Sequence, residues 1–369
     1  ASKGKTKRVM DILILNDTIN SDNYGCQLVS HSIRKTMREV YPSASIYYQP
    51  MGSYSKETRT FDKVIINGEG SFGHRFLLPD GFKAQMIGVI KHFLSSNTPI
   101  YLVNVSIQVS KEILEPHIPL LNRLEVVALR EPLSYMYCKK LGLTNIKLFP
   151  DLGTAYFEEE SIDKKTLDFC FGLGAITKMR EKIEKPLQNY INVINKIAEE
   201  GYKCAFLDFP SNPASDLNIA GSRLHPAIKH ITGGFENYYD AVKTAKYNIT
   251  GRHHGMVMAF AGKTPSASFD SNMWKTEGDQ MLYGPNGYFH FAANNEKELY
   301  SFIMENYSNC EVDTLKLNDK YTRLKPYFKG HIECTIDNNT EGMEHMLDFN
   351  EIEKDFKELY YLEPEKYGF

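Results

Sequence analysis

Thr250-Gly251-Arg252-His253-His254-Gly255, running on into Met256-Val257-Met258-Ala259-Phe260-Ala261-Gly262-Lys263-Thr264-Pro265, decides the fold. The apolar run Tyr247–Thr250 predicts a strand, Gly251 permits an abrupt turn, and the small apolar residues after Gly255 predict a helix. A strand that leads straight into a helix is the repeating unit of parallel sheets. The start of such a helix offers free N–H groups and a positive dipole end, which suit an anion. Arg252 adds a guanidinium that can grip a carboxylate or phosphate with two hydrogen bonds. His253 and His254 add imidazoles able to exchange a proton near neutral pH.

The same alternation extends outward. Strands are expected at Asp11–Leu15, Ala44–Tyr48, Lys63–Asn67, Ile100–Val103, Val126–Leu129 and Lys147–Phe149, with helix-length amphipathic segments between most of them. A second block repeats the pattern from Asp168–Gly172 through Lys203–Leu207 and Tyr247–Thr250 to Pro265–Ser268. This predicts an α/β protein of two doubly wound domains, residues 1–157 and 167–295, joined by a charged linker at 158–166. Residues 296–369 read as a helical segment that packs back on the domains. Two such units place a ligand in the cleft between them, beyond the carboxyl ends of the strands.

A chain of 369 residues exceeds one ordinary core. Its 42% hydrophobic and 24% charged residues give a globular balance, and its net charge of -3 argues against nonspecific nucleic-acid binding. Six cysteines lie scattered without a close pair. They read as reduced thiols of a cytosolic protein, not as a disulfide frame or zinc site. His253 and His254 are adjacent, not four apart on a helix, so no metal is expected, and no cofactor.

Other candidate site residues sit where strands should end. In Asn67-Gly68-Glu69-Gly70-Ser71-Phe72-Gly73, the glycines read as a sharp turn facing substrate, with Gly68, Gly70 and Ser71 lining the cleft and Glu69 as acceptor base. Asn23 and Tyr24 follow the first strand, as cleft residues or as a helix cap. Arg130 and Glu131 precede Pro132, a favoured helix-starting residue. Asp151 reads as fixing an exit turn. Asp208, after Cys204–Leu207, is open to two readings, a carboxylate nucleophile or a turn cap. Asn272 and Lys275 follow the last strand and are assigned to the donor, together with His253 and Gly255.

Taken in order, these motifs resemble the polysaccharide pyruvyl transferase superfamily over about Asp11 to Asp279. The carriers are Asn23-Tyr24-Gly25, the turn at Gly68 to Gly70, Arg130-Glu131-Pro132-Leu133-Ser134, Asp151, Arg252 to His254, and Ala259-Phe260-Ala261-Gly262-Lys263-Thr264-Pro265. The resemblance implies two Rossmann-like units in a GT-B-like arrangement. It also implies that Arg130 and Arg252 bind the donor carboxylate and that His254 is the general acid. Two departures stand out: Glu69 interrupts the glycine run, and His253 replaces the usual apolar residue. An acidic glycine loop is similar to relatives that transfer Kdo, a 2-keto sugar acid, with Asp208 or Glu131 as nucleophile or stabiliser.

The expectation is therefore a transferase of surface polysaccharide or lipopolysaccharide biosynthesis, cytoplasmic or associated with the inner membrane. The favoured donor is a CMP-activated Kdo-like sugar acid, and the alternative is phosphoenolpyruvate with ketal formation on a glycan acceptor. A second alternative is an inactive sugar- or nucleotide-binding module, and a place within a multi-module synthase is left open. On this reading Arg252→Ala abolishes turnover with little change in melting temperature, which a thermal melt beside an activity assay checks.

Overall fold

A computed structural model describes residues 8–73, 82–157, 164–175, 180–210, 214–284, 287–292, 295–358 and 367. Residues 158–163 of the expected linker lie outside the described residues. The first half runs β1 (Asp11–Leu15), α1 (Tyr24–Val40), β2 (Ser45–Gln49), β3 (Lys63–Gly73), α2 (Phe82–Ser95) and β4 (Ile100–Gln108). It continues with the short helices α3 (Lys111–Leu114) and α4 (Ile118–Leu121), then β5 (Val126–Leu129), α5 (Pro132–Lys140) and β6 (Ile146–Leu148). These six strands form one parallel sheet in the order β2-β1-β3-β4-β5-β6.

The second half comprises β7 (Leu167–Gly174), α6 (Arg180–Glu199), β8 (Cys204–Leu207), α7 (Asp216–Ala220), β9 (Lys229–Ile231) and α8 (Phe235–Thr244). After these come β10 (Ala245–Gly251), α9 (His253–Ala261), β11 (Ser266–Phe269), α10 (Lys275–Tyr283) and β12 (Tyr288–Phe289). Their parallel sheet has the order β12-β11-β10-β7-β8-β9. Read from β9, that is the dinucleotide-fold order 3-2-1-4-5-6, whereas the first sheet reads 2-1-3-4-5-6. Both sheets are covered on two faces, which explains near-continuous apolar strands such as β4, buried along its whole length.

Two expectations need correction. The glycine run is not a turn, because β3 continues through Gly73 and pairs with β4 as far as Gln108. Its glycines answer to neighbours: a Cβ on Gly68 would lie 2.4 Å from Val105 Cβ, and one on Gly73 would lie 2.9 Å from Met273 Sδ. Glu69, at φ 43, sits at an irregularity in that pairing. β4 in turn does not end at Val103, since Asn104 and Ser106 are polar but buried, with partners from other elements.

α9 and α10 follow strands of the second sheet, yet Val257, Phe260, Trp274, Leu282 and Tyr283 belong to the core of the first. Trp274 is fully buried; its indole N–H donates to Ser134 Oγ at 3.2 Å, and its ring meets Tyr137 and Phe356 edge-on. The last helices continue this joining. α11 (Glu296–Ser308) places Leu299 and Ile303 in the second core. α12 (Cys310–Leu324) and α14 (Phe349–Glu358) bring Leu317, Tyr321, Leu324, Ile352 and Phe356 back to the first, and α13 (Gly330–Glu333) packs beside α1. No helix of the described residues is long and apolar enough to cross a membrane. Trp274→Ala should cost about 3–5 kcal/mol of stability, as for other buried large-to-small aromatic changes; a urea unfolding series on the variant measures it.

Candidate active site at the joint of the two sheets

In each sheet the strand order reverses at one point, in the first between β1 and β3, in the second between β7 and β10. Crevices beyond the strand ends at such points are where open α/β sheets bind ligands. The Arg252 turn stands at the second of these points. Gly251 is required there because a side chain would run into the Phe269 ring, 2.2 Å from the Cβ position. Arg252 caps α9, and its backbone N–H donates to Thr250 Oγ1 at 3.1 Å. Gly255 lets α9 lie close on β10, since a Cβ would meet Thr250 Oγ1 at 2.6 Å.

The Arg252 guanidinium is not free. Its Nε donates to Asp216 Oδ2 at 3.2 Å, the outer nitrogen bonds Asp216 Oδ1, and the group stacks 4.3 Å over Phe209. Burial pushes the Asp216 carboxyl up, while Arg252 pulls it down. The expectation for Arg252→Ala is thereby corrected: it strands a buried carboxylate, a defect worth about 3–5 kcal/mol. Arg130 is likewise enclosed, only 2% exposed. Its Nε donates to Ser106 Oγ at 2.9 Å and its Nη1 to Asp151 Oδ2 at 3.0 Å. Lys275, half-buried at the start of α10, is brought down to about 8, first by burial, then by the charge of Arg130, with Arg252 adding to it. The described residues offer Lys275 no hydrogen bond or ion pair.

Asp151 is the centre of the arrangement. Its Oδ1 accepts from the Gly153 N–H at 2.7 Å, and its own N–H donates to the Tyr283 oxygen at 3.1 Å. His253 lies between two carboxylates, Nε2 at 3.0 Å from Asp151 Oδ2 and Nδ1 at 2.7 Å from Asp279 Oδ2. Burial, reinforced by Arg130, holds the His253 imidazole well below its usual range. Burial also raises the Asp279 carboxyl well above its own. For Asp151 burial acts upward, but the His254 charge and the hydrogen bond from His253 hold it well below the usual carboxylate range. One proton arrangement satisfies all three: Asp279 protonated and donating to Nδ1, His253 neutral and donating from Nε2, Asp151 ionised.

His254 is 9% exposed. Its Nε2 is enclosed and stands 3.5 Å from Asp151 Oδ2, with no better partner. Its ring lies on Gly25 at the head of α1, where a Cβ would fall 2.0 Å from Nδ1. Glycine is needed at that position because the imidazole occupies the side-chain space. Ligating atoms of Asp151, His253 and His254 lie within 4.8 Å of one another, a grouping wide enough to hold a cation. Arg130, donating to the same Asp151 oxygen, sets a fixed positive charge against that use.

The other residues singled out from sequence are placed as follows. Glu131 is fully enclosed as the cap of α5, accepting from Leu133 N–H, Ser134 N–H and Ser134 Oγ, and burial raises it to about 7. Asp208 accepts from the Leu217 N–H at 2.8 Å. Neither carboxylate stands free at a strand end, so the geometry gives the nucleophile role no support. Glu69 is bound by Asn67 Nδ2 at 2.7 Å, Thr18 Oγ1 at 3.1 Å and Cys26 Sγ at 3.1 Å. Asn23 caps α1 through the Cys26 N–H, and the Tyr24 oxygen accepts from the Gly234 N–H. Ser71 is buried, Gly70 packs by Met273, and Asn272 is exposed.

Three residues of the site escaped the sequence reading. Asp151 is visible at a strand end and carries the family resemblance, but reads from sequence as fixing a turn and not as a partner of the histidines. Asp279 lies four residues after Lys275, on one face of a helix that no motif announced. Asp216, next to the helix cap Ser215, carries the ordinary signature of a helix start.

Residues 23–272 match the sequence profile described as polysaccharide pyruvyl transferase. The chain belongs to that family. Its members' name marks them as glycan-modifying transferases, and the two-sheet architecture is shared with several solved structures. A protein from Listeria monocytogenes described as a UDP-N-acetylglucosamine 2-epimerase aligns at TM-score 0.60 with 10% identity, covering 91% of this chain and 99% of that one. The glycosyltransferase of kitacinnamycin aligns at 0.56 with 9% identity, covering 90% and 100%. HepE from Anabaena, solved with UDP-glucose, aligns at 0.52 with 12% identity, covering 89% and 98%. At such identities the likeness is one of fold, the GT-B type. No curated protein sequence matches the chain. In this chain, Gly25→Ala should displace the His254 ring and cut turnover at least a hundredfold with the fold intact, as activity and circular dichroism on one sample would show.

Proposed function

We propose that this chain transfers the enolpyruvyl carbons of phosphoenolpyruvate to a glycan, closing a pyruvate ketal on two acceptor hydroxyls. The observation that carries the reading is His254. It is a nearly enclosed imidazole with one nitrogen turned to a buried carboxylate, and the neighbouring α10 carries a half-buried ammonium, Lys275, with no anion partner among the described residues. Family membership supports the same donor. Lys275 at the head of α10 and the N–H groups at the head of α9 attract the donor's phosphate and carboxylate. Arg252 and Arg130, each paired with a carboxylate, contribute field and not direct grip.

His254 gives a proton to the methylene carbon, and the adjoining carbon becomes electrophilic. Two acceptor hydroxyls bond to it as the phosphate leaves; their protons go to His254 and to the departing phosphate. Because that carbon stays bonded to a carboxylate, nearby cations serve to orient the donor, and the acid supplies the chemical push.

A second reading has one observation in its favour. Structures sharing this fold were solved with UDP or UDP-glucose, so a nucleotide-activated sugar acid, CMP-Kdo among them, is the competing donor. It ranks lower because Glu131 and Asp208 are occupied as helix and turn caps. An inactive binding module is the third. A cytoplasmic location, where activated donors are made, goes with either enzyme reading.

Purified protein with a pyruvylatable glycan should release inorganic phosphate from phosphoenolpyruvate. Release of CMP from CMP-Kdo instead would select the second reading, and binding without either product the third. Donor affinity should weaken as pH rises through about 8, where Lys275 loses its proton. Lys275→Met should bind the donor at least tenfold more weakly at pH 7 and show no such decline, as titration calorimetry across pH 6.5–9 would reveal.

A further inference from the structure

We propose that Asp151, fixed by a buried chain running Asp279–His253–Asp151, is the positioning residue that sets the proton and orientation of His254. This rests on reading His254 as the acid that protonates the donor. The family resemblance gave roles to Arg130, Arg252 and His254 and none to Asp151; the connection from Asp279 through His253 and Asp151 to His254 comes from the geometry.

Asp151 Oδ2 is the only described acceptor near His254 Nε2, at 3.5 Å, and every other bond of the carboxylate immobilises it. Gly153 N–H holds Oδ1, while Arg130 and His253 hold Oδ2 from opposite halves of the molecule. His253 cannot turn, because its other nitrogen is bonded to Asp279. A carboxylate this close gives an Nε2–H an acceptor and turns that nitrogen inward. That leaves Nδ1, over Gly25, as the nitrogen available to the donor. Asp279 and His253 thus act through Asp151, and Asp151 acts through His254.

The charged surroundings are consistent with this role. Arg130, just past the end of β5, and Lys275 of α10 are the cations that bear on Asp279, and Glu131 is withdrawn as a cap. His331 of α13 is neutral, lowered by burial to about 3, and its Nδ1 accepts from the Asn104 N–H. Cys26 and Glu69, at α1 and β3, bond each other. No second ionised carboxylate contacts His254, so Asp151 is the group whose removal a pH profile should register.

The test compares kcat and KM against pH for the wild type and Asp151→Asn, with phosphoenolpyruvate and glycan. The acid must be protonated to act, so losing the facing anion should move the alkaline limb of kcat/KM to lower pH by about one unit. kcat should fall at least tenfold while KM changes less than threefold. A folded Asp151→Asn whose alkaline limb stays put overturns the proposal. Should that variant fail to fold, ¹⁵N imidazole spectra of the donor-free wild type decide. His253 should be neutral and protonated on Nε2 throughout pH 6–8; a cation, or a proton on Nδ1, overturns the chain as drawn. His254→Gln separates this inference from the reading beneath it. If His254→Gln keeps full turnover, the acid reading falls even with His253 as described. If it is inactive and Asp151→Asn leaves the alkaline limb unmoved, only the positioning role falls.

Discussion

One carboxylate, Asp151, ties the two sheets together at the place where chemistry is expected. It emerges after the last strand of the first sheet and takes hydrogen bonds from Arg130 on its own side and His253 on the other. A buried charge is costly unless it is paired and hydrogen-bonded. Here the compensation comes from both halves, so the carboxylate is satisfied only when they are docked. The imidazole facing it, His254, inherits that dependence. The proposed acid has its facing anion only in the assembled molecule.

Around this centre the described residues separate cations paired with buried carboxylates from one, Lys275, without such a partner. Arg130 and Arg252 look alike in sequence, each at the carboxyl end of a strand, and each is matched with a buried aspartate. Lys275 has no such match. Positive charges gathered where one lacks an anion make a site selective for an acidic donor, while the paired ones cannot collapse into it.

Much of the fold was readable because parallel α/β sheets give short apolar strands alternating with amphipathic helices. Asp11–Leu15 and Val126–Leu129 emerge with the expected bounds. The reading failed where polarity is buried. Asn104 and Ser106 looked like a strand end yet lie inside β4, because their partners arrive from Leu152, His331 and Arg130, far along the chain. The glycines of β3 looked like a turn, though they answer to Val105 and Met273. For the site, local motifs exposed Arg252 and His254. Glu131 and Asp208 were ambiguous, since a carboxylate at a helix start has the same local signature whether it caps or reacts. Asp279 and Asp216 stayed hidden because pairing between elements 26 and 36 residues apart leaves no spacing rule.

The shared core carries a consequence for biosynthesis. The apolar face of the first sheet is closed by Val257, Phe260, Trp274, Leu317, Tyr321 and Phe356, all from the later part of the chain. While the ribosome works through that stretch, the N-terminal half must wait with bare hydrophobic surface, a state prone to sticking and to chaperone capture. For the same reason the first half is not a separable module: cutting the gene between the halves would leave its fragment without part of the wall that closes its core.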